Sequence, residues 1–560
     1  MDAIARFLPR RYRGVYVAAL VILVCAITVA FYFRYQILDG FTVLNGDRYD
    51  QVIAISIFEH WRNTFSGIAH WSETGYFYPV KDTLGYNDGY FLFGAIYSVF
   101  RGFGIDPFLG GELVNVAMRA IGFLGFYVMA RRIFAFPVFW ALLGAILFTI
   151  SNNMFVESNH TQLFSVALVP VMAVLVAGLI AAVKRGDSRA ILSWGIAAAA
   201  LYGAWLVTAF YMAWYFAFFG TFLVLAYLCM YGREAVAATR TAIRAQSTSV
   251  RVVAAAFVLF AIPFFRVYVP KAVESGMHKF ADELPHTLLP LDIVDVTNSN
   301  LLYGRMVDIA AKVLPSGSFG RDYEQLTGIP LVLLFLFACG AYWLWRNRTT
   351  PDAAQHELLR AVALATVVTW ILALQIGGAS LWWLVYHLFP GAQATQVVAR
   401  YQIFLTVPVI IVALSYLSRN RSKIAAPVLC LVCAVLIVEE INVGAPWGLQ
   451  REHEVQRLAS VPRPPPACRA FFVSHERPEG LYPGADSIYS HNVDAMIIAE
   501  TMHIPTPNGY ATFVPRHWNL RDPEKPDYMS RVKAFVALHP IPGLCRLDLR
   551  SLTWSTKPFA

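Results

Sequence analysis

Residues 14–33, GVYVAALVILVCAITVAFYF, form a run of twenty without a single charge. Coiled as a helix at 1.5 Å per residue, such a run reaches about 30 Å, the thickness of bilayer hydrocarbon. Arg6, Arg10, Arg11 and Arg13 precede it, and no small-residue cleavage site follows. It therefore reads as a retained first membrane helix with its N-terminus in the cytoplasm.

The rest of the chain repeats this pattern. Of the 560 residues, 57% are hydrophobic and only 14% charged, where a soluble protein carries roughly a quarter charged residues. Further spans are expected near Phe108–Ala130, Phe134–Ile150, Thr161–Val183, Ala190–Leu206, Phe210–Met230, Val252–Tyr268, Thr327–Trp345, Ala361–Leu374, Ile403–Leu417 and Ile424–Val438. The sequence thus predicts an all-α polytopic membrane bundle of about 11 transmembrane helices. The apolar run Tyr90–Phe100 is too short to cross and should lie at the interface or re-enter. Charge placement supports that count. Arg131/Arg132, Lys184/Arg185/Arg189, Arg233 through Arg251, Arg346/Arg348/Arg360 and Arg419/Arg421/Lys423 all fall in one compartment if Tyr90–Phe100 does not span, whereas a span there inverts every later loop and breaks the positive-inside rule. The same clustering explains the net charge of +9 and argues against a nucleic-acid partner.

Residues 1–443 read as the membrane domain. Its outer loops are 34–107 and 270–326, and a third outer segment, Gly377–Tyr401, carries an interfacial helix with Trp382, Trp383 and Tyr386. Residues 444–560 read as a small α+β periplasmic domain behind a Pro-rich linker (Pro462, Pro464, Pro465, Pro466), with a helix over Val493–Met502. Cys468 and Cys545 are the two cysteines of that tail, and an oxidising compartment favours a disulfide between them.

The residues that bear chemistry begin just beyond the first helix, at Asn45-Gly46-Asp47-Arg48-Tyr49-Asp50. Two carboxylates at the mouth of a bundle suit general-base work or cation binding, and Asp47 also suits the cap of a helix starting near Arg48. Trp61, Trp71, Tyr76, Tyr78, Lys81, Asn87 and Asp88 follow in the same loop, ring faces beside polar groups as a sugar groove requires, though interfacial aromatics serve equally. His160, in Asn159-His160-Thr161-Gln162, stands at an outer helix start. Arg266, Lys271, Arg321 and Arg400 are cations retained outside against the charge rule, and suit a lipid phosphate or snorkelling. Asn508-Gly509-Tyr510 and His517-Trp518-Asn519 suit turn and core roles better than acceptor contact. Glu439 and Glu440 end the last span, in the outer headgroup region. The chain has no GxxxxGK[ST] loop, GxGxxG or GxSxG motif, and no zinc spacing. Charged residues are nearly missing from mid-span, which disfavours ion-coupled transport.

With these residues in place, the chain resembles the GT-C superfamily of membrane glycosyltransferases. That group includes protein O-mannosyltransferases, the aminoarabinose transferases acting on lipid A, and YfhO-like proteins. The resemblance lies in the retained first helix, the long first loop opening on Asp47 and Asp50, the span count and the outward tail. It implies an inverting glycosyltransferase of the bacterial inner membrane. The donor would be a polyprenyl-phosphate-linked sugar and the acceptor a periplasmic glycan, lipid or protein, with membrane lipids as surroundings. It also implies an acidic base in the first loop, a role that falls first on Asp47 and next on Asp50. Lys271 or Arg400 would stabilise the departing phosphate, and Tyr78, Lys81, Asn87, Asp88 and His160 would line the substrate site. No cofactor is indicated. The D-x-x-D spacing leaves a divalent cation open. The rival readings are a transporter or flippase of a lipid-linked saccharide and a non-catalytic envelope glycan assembly factor.

Overall fold

The computed structural model describes residues 10–315, 319, 323–347, 353–444, 448–477 and 488–559; Arg321 and Arg348 lie outside these. Among the described residues, nine helices are long and apolar enough to cross a membrane. They are Gly14–Tyr32, Pro107–Arg132, Val138–Asn159, Thr161–Arg185, Ser188–Thr208, Phe210–Gly232, Ser247–Ser275, Ala354–Ala373 and Val398–Lys423. The chain is a mostly helical, multi-pass bundle.

Two of the expected spans are shorter. Leu331–Arg346 has 16 residues and Ala426–Val438 has 13, reaching only about 24 and 20 Å. The run expected from Thr327 opens instead in extended chain, because Pro330 disfavours helix at the residue before it. There Gly328 N–H donates to Asp295 and Ile329 N–H to Ile293. Phe91–Gly102, at 12 residues, is also too short to cross.

Local signals place the helix ends. Asp106 accepts from the N–H groups of Phe108 and Leu109 ahead of Pro107, so the helix Pro107–Arg132 starts there. It closes on Arg131 and Arg132, cations suited to a helix C-terminus. Two charges do sit within this helix: Glu112 and Arg119 are 0% and 1% exposed. The Arg119 guanidinium lies over the Tyr32 ring and donates to the Thr149 carbonyl at the end of Val138–Ile150. Glu439 and Glu440 are also buried within the protein. Glu439 caps the helix Leu331–Arg346 through the N–H groups of Val332 and Leu333, and Glu440 accepts from Asn152 N–H.

The first loop and the tail fold together at one end of the bundle. Strand β1 (Val43–Asn45) pairs antiparallel with β2 (Gly448–Gln450), Asn45 opposite Gly448. Helix α1 (Asp50–Phe65) packs against α2 (Ser490–Met502) of the tail. Behind α2 stands a three-stranded sheet in which β3 (Ala470–Ser474) runs parallel to β4 (Leu544–Asp548), and β5 (Thr553–Ser555) antiparallel to β4. A disulfide joins Cys468 and Cys545, whose Cα atoms lie 5.6 Å apart. The Pro-rich segment packs back on this sheet, with Trp554 donating to the Pro462 carbonyl at 2.9 Å.

Candidate active site

Each residue of Asn45-Gly46-Asp47-Arg48-Tyr49-Asp50 has a separate task. Asn45 is clamped, accepting from Gln36 and donating to Glu112, both at 2.8 Å. Gly46 adopts φ +93, and a Cβ there would stand 2.7 Å from the Gln51 Cβ, so the turn admits only glycine. Asp47 Oδ1 accepts from the N–H groups of Tyr49 (2.9 Å) and Asp50 (2.8 Å), capping α1. Arg48 turns away to the tail and pairs with Glu454 at 3.0 Å and with Asp494. The Tyr49 ring packs on Tyr489 at 5.0 Å, and Tyr489 on Tyr510 at 4.2 Å. Asp50 is left to face the recess.

The recess is built from both sides of the chain. Asp50 Oδ2 lies 3.2 Å from His160 Nδ1, and 41% of its side chain stays accessible. His160 Nε2 lies 3.6 Å from Glu157 and 4.0 Å from Glu324. Glu324 pairs with Arg400 at 2.6 Å, and the Arg400 guanidinium lies over the Tyr211 ring. The segment that carries Glu157 and His160 is fixed twice: Thr161 donates to Gln51 of α1 at 2.5 Å, and Tyr32 donates to the Met154 carbonyl at 2.9 Å.

The two aspartates differ electrostatically. Burial pushes the Asp50 carboxyl up, but the hydrogen bond and charge of His160 and the charge of Arg400 outweigh it and hold Asp50 below the usual carboxylate range. Burial and the charge of Asp50 hold Asp47 above that range. Burial and Arg400 disfavour the His160 cation, yet Asp50 and Glu157 prevail and raise its pKa. Asp50 and His160 thus each favour the charged form of the other.

Asp88 flanks the recess. It accepts from Phe210 N–H at 2.9 Å, capping the next span, and burial pushes it up to about 6. Tyr90 donates to Gln162 at 3.1 Å. The other residues singled out in the sequence lie in different contacts. Lys271 sits 3.1 Å from Glu274 and from the Tyr86 hydroxyl. Lys81 is an exposed residue paired with Glu73 at 3.0 Å. Asn87 accepts from Thr512 of the tail, and Tyr78 N–H donates to the Thr506 carbonyl. Arg266 is exposed. Asn508 is buried, bonded to Asn492, Tyr528 and Val473 N–H, and Trp518 packs on Phe77.

Glu157, Glu324 and Tyr211 were not singled out in the sequence. The one available signal was Glu157, three residues before His160 and so on its side of a helical turn. Asp50, Glu157, His160 and Glu324 come together here, but among the described residues no group of three or more His, Cys, Asp or Glu side chains is set as metal ligands. No step is routed through a metal ion.

No family model and no curated protein matches the chain. Among solved structures it is similar to the Archaeoglobus fulgidus oligosaccharyltransferase in the apo form (10% identity, TM-score 0.44, 89% of this chain) and in complex with zinc and sulfate (12%, 0.43, 87%). It spans 65% and 62% of the length of those two chains, less than two thirds. It is also similar to ArnT from Cupriavidus metallidurans bound to undecaprenyl phosphate (12% identity, TM-score 0.32), over 89% of this chain and 86% of that one.

Proposed function

We propose that this protein is an inverting GT-C-type glycosyltransferase of the bacterial inner membrane. It moves a sugar from a polyprenyl phosphate to a periplasmic glycan, lipid or protein. The observation that carries this reading is the charge cluster: Asp50, with 41% of its side chain accessible, stands 3.2 Å from His160, and the Arg400 guanidinium lies beyond them. In this reading residues 1–443 form the membrane domain of 11 spans, with the two short helices completing the count. Residues 444–560 form the periplasmic domain, and the N-terminus is cytoplasmic.

The chemistry asks for few groups. A lipid phosphate is a good leaving group without protonation, so no general acid is required. Asp50 takes the proton of the acceptor hydroxyl as its oxygen attacks the anomeric carbon from the face opposite the phosphate. The carbon–oxygen bond to the phosphate breaks, the configuration inverts, and Arg400 stabilises the negative charge left on the lipid phosphate. His160 keeps Asp50 ionised and aimed. Asp47 acts one step back, by fixing the turn. Tyr49, Tyr489 and Tyr510 offer ring faces beside the base, on which an acceptor sugar can stack.

The test is a reconstitution of purified protein in lipid nanodiscs with a radiolabelled polyprenyl-phosphate sugar and envelope acceptors. Transfer that survives Asp50→Asn unchanged would overturn the assignment of the base. No transfer with any such donor, alongside movement of the lipid-linked saccharide across proteoliposomes, would favour a flippase instead.

A further inference from the structure

The recess holds two cations, Arg400 and His160, against three carboxylates, Asp50, Glu157 and Glu324. A lipid phosphate must compete with these carboxyl groups for the same two cations, and anions brought close together in a poorly hydrated site repel. Binding therefore requires one carboxylate to leave the cations. Asp50 is held by His160 and is needed as the base. Glu157 is fully buried, at 0% exposed.

Glu324 is different. One of its oxygens lies 2.6 Å from an Arg400 terminal nitrogen and the other 4.0 Å from His160 Nε2, so a single carboxylate spans both cations. Two phosphate oxygens can take the same positions, since guanidinium groups pair alike with carboxylate and phosphate. Arg400 is 6% exposed and its Nε has no hydrogen-bond partner, so one buried donor of the guanidinium is unused. Glu324 is the more open partner, with 29% of its side chain exposed, and it sits on a single three-residue turn, Tyr323–Gln325. Its side chain can swing out without breaking a long helix.

We infer that Glu324 is the resident anion of the phosphate subsite, holding Arg400 and His160 in place until the donor phosphate displaces it. This rests on the reading of the site as one for a polyprenyl phosphate.

The experiment measures binding of undecaprenyl phosphate to the full-length protein in nanodiscs, with no acceptor and no turnover. Wild type, Glu324→Gln, Glu324→Ala and Arg400→Gln are compared in chelator and in magnesium. A charge-assisted bond removed from competition is worth about ten-fold. Both Glu324 variants are therefore expected to bind about ten-fold tighter than wild type, and Arg400→Gln about ten-fold more weakly. Unchanged or weaker binding by both Glu324 variants, with Arg400→Gln still impaired, overturns the inference and leaves the phosphate site standing. Wild-type affinity that rises with magnesium and ignores Glu324 also overturns it. If undecaprenyl phosphate binds none of the four proteins, the donor reading falls with it.

Discussion

Asp47 and Asp50 are three residues apart and point to different chemistry. Asp47 spends one oxygen on two backbone N–H groups, a job asparagine does about as well. Asp50 has its carboxylate open to the recess. Asp50→Asn is expected to lower the transfer rate about 10²- to 10⁴-fold, the usual worth of a general base, while Asp47→Asn lowers it less than about ten-fold. Steady-state transfer assays of the two variants check this. The acid limb of the pH profile should fall below the ordinary carboxylate range, because Asp50 is held low. In His160→Gln the hydrogen bond and charge that hold it there are gone, so the limb should move to higher pH. The ion pair also has a stability window. Asp50, depressed in the fold, stabilises above its unfolded pKa and ceases to as pH falls through its folded value. His160, raised in the fold, stabilises below its unfolded pKa and ceases to as pH rises through its folded value. The difference in thermal stability between wild type and Asp50→Asn should therefore be greatest between about pH 4 and 6.5 and should narrow above it.

Between elements, a buried charge cluster links the first loop to α2. Asp494 receives Arg48 and Arg457, with Arg477 at 3.9 Å, and all of these side chains are 4–6% exposed. Burial alone would raise Asp494, but the three guanidinium groups hold it low. Asp494→Asn leaves those cations short of a counter-charge, which costs about 3–5 kcal/mol in comparable buried pairs. Chemical denaturation should show that loss, and limited proteolysis should release the tail from the variant first. This join was not legible in the sequence. Hydropathy runs marked most of the bundle, since twenty apolar residues have few other uses, and they placed Asp47, Asp50 and His160 near one rim. Partners 406 residues apart, such as Arg48 and Glu454, leave no periodic trace. Glu324 likewise carried no local pattern, because its role comes from the turn that brings it to Arg400. Lys271 and Arg400 looked alike as outward cations, yet Lys271 pairs with Glu274 on its own helix whereas Arg400 reaches into the recess.

For the molecule as a whole, the orientation is open to direct measurement. Single cysteines at Lys81, exposed in the first loop, and at Ser188, in a background with the native free thiols replaced, should react from opposite faces of intact cells. Membrane-impermeant maleimide is expected to label Lys81→Cys from outside and to spare Ser188→Cys. The reverse pattern would place the recess in the cytoplasm, where nucleotide sugars are at hand and a lipid-borne donor has no advantage. The pairing of Val43–Asn45 with Gly448–Gln450 has a consequence for biogenesis. The turn that aims Asp50 emerges early from the ribosome but lacks its neighbouring strand until the final membrane helix has been synthesised. A nascent chain halted before that point lacks the strand that holds the turn, so under the proposed function premature products are expected to be inert.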